Sequence, residues 1–295
     1  KKMPNHIQNR VTFECSEERL AEVLSAIAKD DVEAENGRSG PGTIDFEKII
    51  PMPENIFRGN LGQKERELYG SDNWYDWSIS HWGTKWNSYS NYSEGHTISF
   101  QTAWSAPHPV LERLAEMFPD VTITHKWADE DIGMNCGEHE YADGVRVSEY
   151  YPEGDVESLD FACAVWDYSP EEIGLTLNSD GTRYINTDYD DYELIELFGK
   201  PALFTNERLS DEDIPKGFYH YDFRESDDGS VQFATLEPHV LVNHGGSIIT
   251  REPIDFGEKE YIELNEDNDP NFVGIDLTLG QYMRGEFTTE MGMTQ

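Results

Sequence analysis

Residues 96–128, HTISFQTAWSAPHPVLERLAEMFPDVTITHKWA, contain a strand, a helix and a second strand in succession, and they decide the fold class. HTISFQTAW alternates apolar and polar side chains, as a half-buried strand does. In PHPVLERLAEMF, prolines suited to a first helical turn precede apolar residues at helical spacing. DVTITHKWA predicts another strand with one buried face, formed by Val121, Ile123 and His125.

The segments before this stretch extend the same pattern. HIQNRVTFEC (6–15) predicts a strand, and Ser16 is placed to cap a helix through SEERLAEVLSAIAKD. TIDFEKIIPMP (43–53) predicts a strand that its prolines end, and residues 140–150 predict an edge strand. The predicted fold class is α+β. Its first part, residues 3–150, is a ferredoxin-like, split β-α-β domain with a long insertion at 54–95.

Residues 155–295 predict a second, acidic domain that is α+β or mostly β. Short apolar segments separated by acidic turns favour strands: SLDFACAVW, YELIELFG, GFYHYDF, VQFATL, HVLVNH, SIITREPIDF and EYIEL. SDDGS (226–230) fits a hairpin turn. SPEEIG and YDDYELIELF also fit short helices, so both interpretations of the latter remain open.

Charge is the most informative property of the composition. The chain has 59 acidic and 22 basic residues, a net charge of −37. Residues 1–150 hold 26 acids and 14 bases, net −12, and the remainder holds 33 acids and 8 bases, net −25. This field repels nucleic acid and anionic membranes and favours a partner with a basic surface. High solubility, or adaptation to high salt, is the alternative interpretation of the same charge.

Several sequence blocks, in one order, resemble the YubB ferredoxin-like family of phages and conjugative plasmids. The blocks are PNHIQNRVTF, DFEKIIPMPE, WSISHWGTKWN, ISFQTAWSAPHPVLERLAEMFP and ADEDIGMNCG. Residues 217–256 resemble a large-polyvalent-protein-associated domain of mobile elements. The resemblance implies a ferredoxin-like fold and a setting in phages or mobile elements, and it brings no catalytic residues.

Signatures of known catalytic and cofactor sites are missing from the sequence. It has no P-loop, no dinucleotide-binding glycine pattern, no nucleophile elbow and no H-E-x-x-H. Cys136 and His139 lack a second pair with zinc spacing. We therefore expect a non-enzymatic protein without cofactor or metal. Three widely spaced cysteines and no long apolar run favour the reducing cytoplasm of a host cell.

The segment WSISHWGTKWN (77–87) is the best candidate for a pocket, because its aromatic side chains suit the stacking of a base. Large aromatic residues also fill cores, so core packing is the competing interpretation. The candidate pocket residues include two groups from the fourth predicted strand and its end: Trp77, His81, Trp82, Trp86, Asn87, His125 and Asp129.

Acidic clusters in the second half form the candidate partner surface: Asp188, Asp190, Asp191, Asp211, Glu212, Asp213, Asp227 and Asp228. The leading hypothesis is an anti-defence protein of a phage or mobile element. It would inhibit a host nuclease or nucleic-acid-binding complex by protein contact and charge mimicry. The alternative is a nucleotide sponge or hydrolase that uses residues 74–87. A nucleic-acid-binding accessory factor fits the charge least well, and the chain could form homo-oligomers.

Overall fold

The structure is a computed structural model that describes residues 4–29, 43–187, 193–197, 200–205, 209–221, 223–225, 232–235, 247–252, 261–263, 273–275 and 278–285. The chain divides into two compact units, residues 1–168 and 169–295. The described parts form a mixed α+β protein whose strand pairs are antiparallel. No described helix has the length and apolar character needed to cross a membrane.

The first unit is built on one six-stranded sheet. Its elements in chain order are β1 (His6–Glu14), α1 (Glu17–Ile27), α2 (Phe46–Ile49), α3 (Gln63–Tyr69), α4 (Trp74–His81), β2 (Tyr89–Glu94), β3 (Thr97–Ala103), α5 (His108–Met117), β4 (Thr122–Asp129), β5 (Gly137–Ala142), β6 (Val145–Tyr150) and α6 (Asp155–Trp166). The strand order is β2-β3-β1-β4-β5-β6.

Local sequence signals explain the centre of this sheet. The side chain of Ser16 accepts a hydrogen bond from the amide of Arg19 and caps α1. The buried faces of α1 and α5 pack against the face of the sheet that carries Val11 and Ile123. The predicted strands β1, β3 and β4 and helices α1 and α5 are therefore confirmed. The edge strand expected at 140–150 is confirmed as the hairpin β5–β6.

The strand predicted at 43–53 is wrong. The side chain of Asp45 accepts a hydrogen bond from the amide of Glu47, and this cap starts the short helix α2. Phe46 and Ile49 lie three positions apart and are both buried, which suits a helical turn. The strand next to β3 is instead β2, which lies inside the predicted insertion and pairs with β3 at the edge of the sheet.

The strand predicted at SLDFACAVW (158–166) is also wrong, because this segment forms most of helix α6. Ala162 and Val165 of α6 pack with Ala128 of β4. Side chains alternate along a strand, so Ala128 points to the opposite face from the neighbouring Trp127. Helix α6 therefore covers part of the second face of the sheet and belongs to the first unit.

The second unit consists of short strands and few helices. Its described elements in chain order are a 3-10 turn (Pro170–Ile173), β7 (Leu175–Leu177), β8 (Tyr184–Asn186), β9 (Glu193–Leu197), β10 (Lys200–Thr205), a 3-10 turn (Asp211–Asp213), β11 (Tyr219–Tyr221), β12 (Phe223–Glu225), β13 (Gln232–Thr235), β14 (Ser247–Thr250), β15 (Tyr261–Glu263), β16 (Val273–Ile275) and α7 (Leu279–Arg284). The described strands of this unit form three sheets, β7-β8, β11-β14-β10-β9-β16 and β12-β13-β15.

The core of the second unit contains Leu194, Leu203 and Ile249 from three neighbouring strands and Leu279 from α7. The strand interpretation of YELIELF is confirmed as β9, and the helical turn predicted at SPEEIG is confirmed as a 3-10 turn. The segments HVLVNH and SDDGS lie outside the described residues.

Candidate functional site

Two tryptophans of the aromatic segment are core residues. The side chain of Asn73 caps α4 by accepting hydrogen bonds from the amides of Tyr75 and Asp76. Helix α4 then places Trp77 in the core, where its ring meets that of Trp82 edge-on at 5.4 Å. The indole Nε1 of Trp82 donates to the carbonyl of Ile50 at 2.9 Å. Both rings therefore hold the segment against the domain.

His81 and Asn87 have local structural contacts. The exposed ring of His81 stacks on Trp77, with centroids 4.3 Å apart. Asn87 accepts a hydrogen bond from the amide of Phe46 and donates one to the Asp45 carboxylate at 2.7 Å. Asn87 thus fixes the start of α2.

Trp86 instead lies on the surface together with Trp104. The Nζ atom of Lys85 lies 4.3 Å from the ring centre of Trp86 and 4.6 Å from that of Trp104. The two tryptophans are 38% and 40% exposed. We call Lys85, Trp86 and Trp104 the Trp–Lys surface. Cation–π contacts of this kind hold the three side chains in a fixed arrangement.

The Trp–Lys surface continues on both sides through further aromatic contacts. Tyr75 of α4 meets Trp104 edge-on at 6.2 Å, and the Arg66 guanidinium lies 5.4 Å from the ring centre of Tyr75. Thr84 anchors the loop before Lys85, because its hydroxyl donates to the carbonyl of Ala103 at 2.8 Å. Trp104 is not among the predicted site residues, because its left-handed backbone (φ 76°) at the end of β3 is not encoded by strand periodicity.

His125 belongs to a different group, a histidine cluster around Trp127 in which His125 and His139 are buried and His108 is half-buried. Pairing of β4 with β5 sets His125 opposite His139, and α5 brings the His108 ring to 4.7 Å from that of His139. All three histidine rings lie within 4.5–5.2 Å of the Trp127 ring. The Nδ1 atoms of His108 and His125 are buried without a hydrogen-bond partner, while His125 Nε2 contacts the Asn9 side-chain oxygen at 3.0 Å.

This environment keeps the cluster neutral. Burial, reinforced by His139 and Arg146, lowers the pKa of His108 to about 4. Burial also lowers the pKa of His125 well below its ordinary value, with smaller contributions from the other two histidines. The pKa of His139 is lowered by burial first and by Arg146 second, with Glu149 opposing.

Asp129 lies at the end of β4 and is mostly buried. Its Oδ1 accepts hydrogen bonds from the Asn5 side chain at 3.1 Å and from the amide of Asp131 at 3.0 Å. Asp129 therefore fastens the turn after β4. The seven candidate pocket residues thus lie in four places. Trp77 and Trp82 are in the core, where His81 stacks on Trp77. Trp86 belongs to the Trp–Lys surface, Asn87 contacts the start of α2, and His125 and Asp129 lie on β4.

The structure describes only part of the predicted acidic surface. Asp188, Asp190, Asp191, Asp227 and Asp228 lie outside the described residues, and Asp211 is described by its backbone alone. Asp213 forms an ion pair with Arg183 and accepts a hydrogen bond from Ser210. Glu212 is exposed, and its backbone carbonyl accepts from Asn178 and Arg183. One of the two described carboxylates is therefore partly neutralised.

Metal ligands do not converge in the described part of the chain, where no group of three or more His, Cys, Asp or Glu side chains is placed to hold a metal ion. No disulfide joins Cys15, Cys136 and Cys163, and Cys163 is buried.

Two family models match the chain. Residues 81–169 match the ferredoxin-like domain in Api92-like protein, and residues 188–284 match large polyvalent protein associated domain 28. These matches support the ferredoxin-like resemblance and give the polyvalent-protein domain wider bounds than 217–256. The YubB family name stays a prediction.

Among solved structures, a crystal structure of protein api92 from Yersinia pseudotuberculosis is 19% identical, with a TM-score of 0.27. The alignment covers 37% of this chain and 40% of that one, so the chain spans well under two thirds of this relative. No curated protein matches the chain.

Proposed function

We propose that this chain is a non-enzymatic binding protein of a phage or mobile element that acts on a basic macromolecular partner in the host cytoplasm. Charge is the observation that supports the proposal. From Ser169 onward the sequence has 28 acidic and 8 basic residues, within a total net charge of −37. Such a field accelerates association with a basic surface and disfavours direct binding to nucleic acid.

In this proposal the first unit serves as a scaffold or oligomerising body. The strand order β2-β3-β1-β4, with α1 following β1 and α5 following β3, supports a proposed split β-α-β arrangement. Residues 169–295 then form a separate acidic domain that carries the partner surface. The resemblance of the first part to the YubB family supports the mobile-element setting.

The partner that fits best is a host defence complex with a groove for nucleic acid. Duplex DNA carries about one charge per 1.7 Å, so a protein mimic needs closely spaced carboxylates. Such carboxylates occur in the predicted partner surface at Asp188, Asp190 and Asp191 and again at Asp227 and Asp228. By occupying the groove, the acidic domain would exclude nucleic acid and inhibit the complex without any chemical step.

Neutralising the predicted surface is expected to abolish capture of the partner. The variant replaces its eight acids by Asn or Gln, and the immobilised chain is incubated with host lysate at about 50 mM and about 200 mM salt. The native chain should retain a basic protein at low salt, lose most of it at high salt, and lose it to added duplex DNA. The matched control neutralises eight exposed acids of the first unit, among them Glu14, Glu54 and Glu94. Salt-independent capture, or equal loss in the control, would refute the electrostatic mechanism.

The Trp–Lys surface favours a second candidate function, the binding of a ligand with a planar ring. Trp86 and Trp104 are 38% and 40% exposed, and Lys85, in contact with both rings, provides a positive charge. A nucleobase stacked on an exposed indole gains about 1–3 kcal/mol, and the ammonium group would contact its phosphate. Because Trp77 and Trp82 are core residues, this function rests on the surface rather than on a pocket in 74–87.

A nucleotide bound there should be retained on the purified chain. Native mass spectrometry of the full chain is expected to show the nucleotide, and Trp86→Ala combined with Trp104→Ala should remove it. His81→Ala, which changes a neighbouring exposed ring outside the Trp–Lys surface, should retain it. If the double variant retains the nucleotide, or if no nucleotide accompanies the native chain and added nucleotides fail to bind, this second function is wrong.

A further inference from the structure

The second unit contains a cavity of about 390 Å³. Its described lining includes Thr176 of β7, Thr187 after β8, Lys216 before β11 and Arg284 of α7. Small-molecule sites have volumes of about 300–1,000 Å³, so this cavity suits a ligand of modest size.

Backbone hydrogen bonds tie the walls of the cavity to one another. The amide of Thr187 donates to the carbonyl of Gly174 at 2.8 Å, and the amide of Gly280 donates to the carbonyl of Thr187 at 2.7 Å. On another side, the amide of Lys216 donates to the carbonyl of Leu177 at 2.7 Å. The cavity is therefore a product of the fold of this unit rather than a gap between loose surface segments.

The charge of the described lining is opposite to that of the unit around it. Only eight of the residues from Ser169 onward are Lys or Arg, and two of them, Lys216 and Arg284, line this cavity. Glu171 is the single acidic residue of the described lining. This segment has 28 acids and 8 bases, so charged residues drawn from it at random to line a cavity would be mostly acidic. Both residues are exposed, and two cations that line one cavity favour an anionic ligand.

The other side chains of the lining specify the rest of the ligand. Leu177 and Met283 provide apolar surface, while Thr176 and Thr187 provide hydroxyl groups. The hydroxyl of Thr187 donates to the carbonyl of Gly174 at 3.3 Å, which leaves its oxygen able to accept a hydrogen bond. Small-molecule sites commonly combine apolar walls with a few polar groups in this way.

We propose that this cavity binds a small organic anion, with a phosphate or carboxylate head held by Lys216 and Arg284 and an apolar body against Leu177 and Met283. The planar guanidinium of Arg284 suits two-point contact with either head, and the ammonium of Lys216 acts as a compact charge. Glu171 accepts a hydrogen bond from a hydroxyl or amino group on the body. The site goes beyond the proposed partner binding and does not depend on it.

Calorimetric titration of the full chain tests the site with three probes: phenyl phosphate, benzoate and inorganic phosphate. The two aromatic probes share a body and differ in the head, so their ranking identifies the preferred anion, and inorganic phosphate measures the head without the body. At least one aromatic probe is expected to bind at millimolar concentration or better. Lys216→Gln and Arg284→Gln should each weaken this binding by about tenfold or more.

Two control variants show whether the loss of binding is specific to this cavity. Lys200→Gln removes a cation of the same unit from β10, outside the described lining, and should leave binding unchanged. Lys216→Arg should keep binding, which excludes a general loss of structure as the cause. Capture of a basic partner should be the same for Lys216→Gln and the native chain. Absence of binding by both aromatic probes, whether or not inorganic phosphate binds, or binding that survives both Gln variants, overturns the proposal.

Discussion

Lowering the pH from about 7 to about 4.5 should destabilise the first unit through the histidine cluster. The pKa of His108 lies near 4, against an ordinary value of 6.5. Between pH 6.5 and pH 4 the imidazole of His108 is mostly protonated in the unfolded chain and mostly neutral in the folded chain. Stability is therefore complete above about pH 6.5 and is lost as the pH falls through this window. For His108 alone the loss between pH 7 and pH 4.5 amounts to about 2 kcal/mol.

His125 and His139 should add to this loss, because burial lowers the pKa of both. The charged and polar groups around the cluster do not cancel this lowering of the histidine pKa values. Arg146 and the phenol of Tyr151 contact His139, and Glu149 provides the opposing carboxylate on β6. Protonation of two or three neighbouring imidazoles in one buried space would place like charges within a few ångströms of one another.

Hydrogen exchange of the β4 and β5 amides at several pH values measures this effect within the first unit alone. Carboxyls complicate a simple comparison, since Arg19 lowers the pKa of Asp120, and the high negative charge declines with acid. The measurement is therefore the difference between the native chain and His108→Gln. The variant should gain about 2–3 kcal/mol relative to the native chain on acidification.

His96 offers a control of opposite sign. Hydrogen bonds to Glu17 and to the carbonyl of Phe13 raise the pKa of His96, so its contribution is present at low pH and is lost as the pH rises through the folded value. His96→Gln should therefore lose stability relative to the native chain on acidification. Equal pH dependence of the native chain and His108→Gln would show that His108 is not held neutral by burial.

The elements that sequence predicted correctly are those with strong local signals. Strand β4 buries Ile123 and His125 between more exposed neighbours, and α1 has a Ser16 cap before its apolar stripe. β2 has no such signal, since YSNYSE is polar and its partner β3 determines its extended form. Segment 43–53 carried strand-like residues, yet the Asp45 cap and its bond to Asn87 favour a helical turn.

The candidate site was harder to predict, because its composition depends on contacts between distant segments. His125 was identified from its place on a strand, but its partners His108 and His139 are brought to it by α5 and by β4–β5 pairing. Trp104 joins Lys85 and Trp86 only because the chain turns at the end of β3. Cavity-lining residues such as Lys216 and Arg284 are 68 positions apart in the sequence. No periodic pattern links such pairs.

Trp82→Ala is expected to cost about 3–5 kcal/mol of unfolding free energy, whereas Trp86→Ala should cost only about 1–2 kcal/mol. The two residues are four apart, a spacing that predicts one shared helical face. Helix α4 ends at His81, however, so the two side chains diverge. The ring of Trp82 is 4% exposed, packs edge-on against Phe46 at 5.8 Å and bonds the carbonyl of Ile50. Its removal leaves a large cavity and an unpaired carbonyl.

Urea unfolding, monitored by hydrogen exchange of the β1 and β3 amides, distinguishes the two variants, because these strands line the same core. Trp86 is 38% exposed and contacts the Lys85 ammonium and, edge-on, the ring of Tyr89, so its loss removes less buried area than the loss of Trp82. The same substitution should remove ligand binding by the Trp–Lys surface if that second function is correct. Trp82→Phe retains an aromatic ring without the indole donor and should recover part of the stability. Equal costs for Trp82→Ala and Trp86→Ala would mean that the segment packs on the domain through one continuous face, as the sequence spacing predicts.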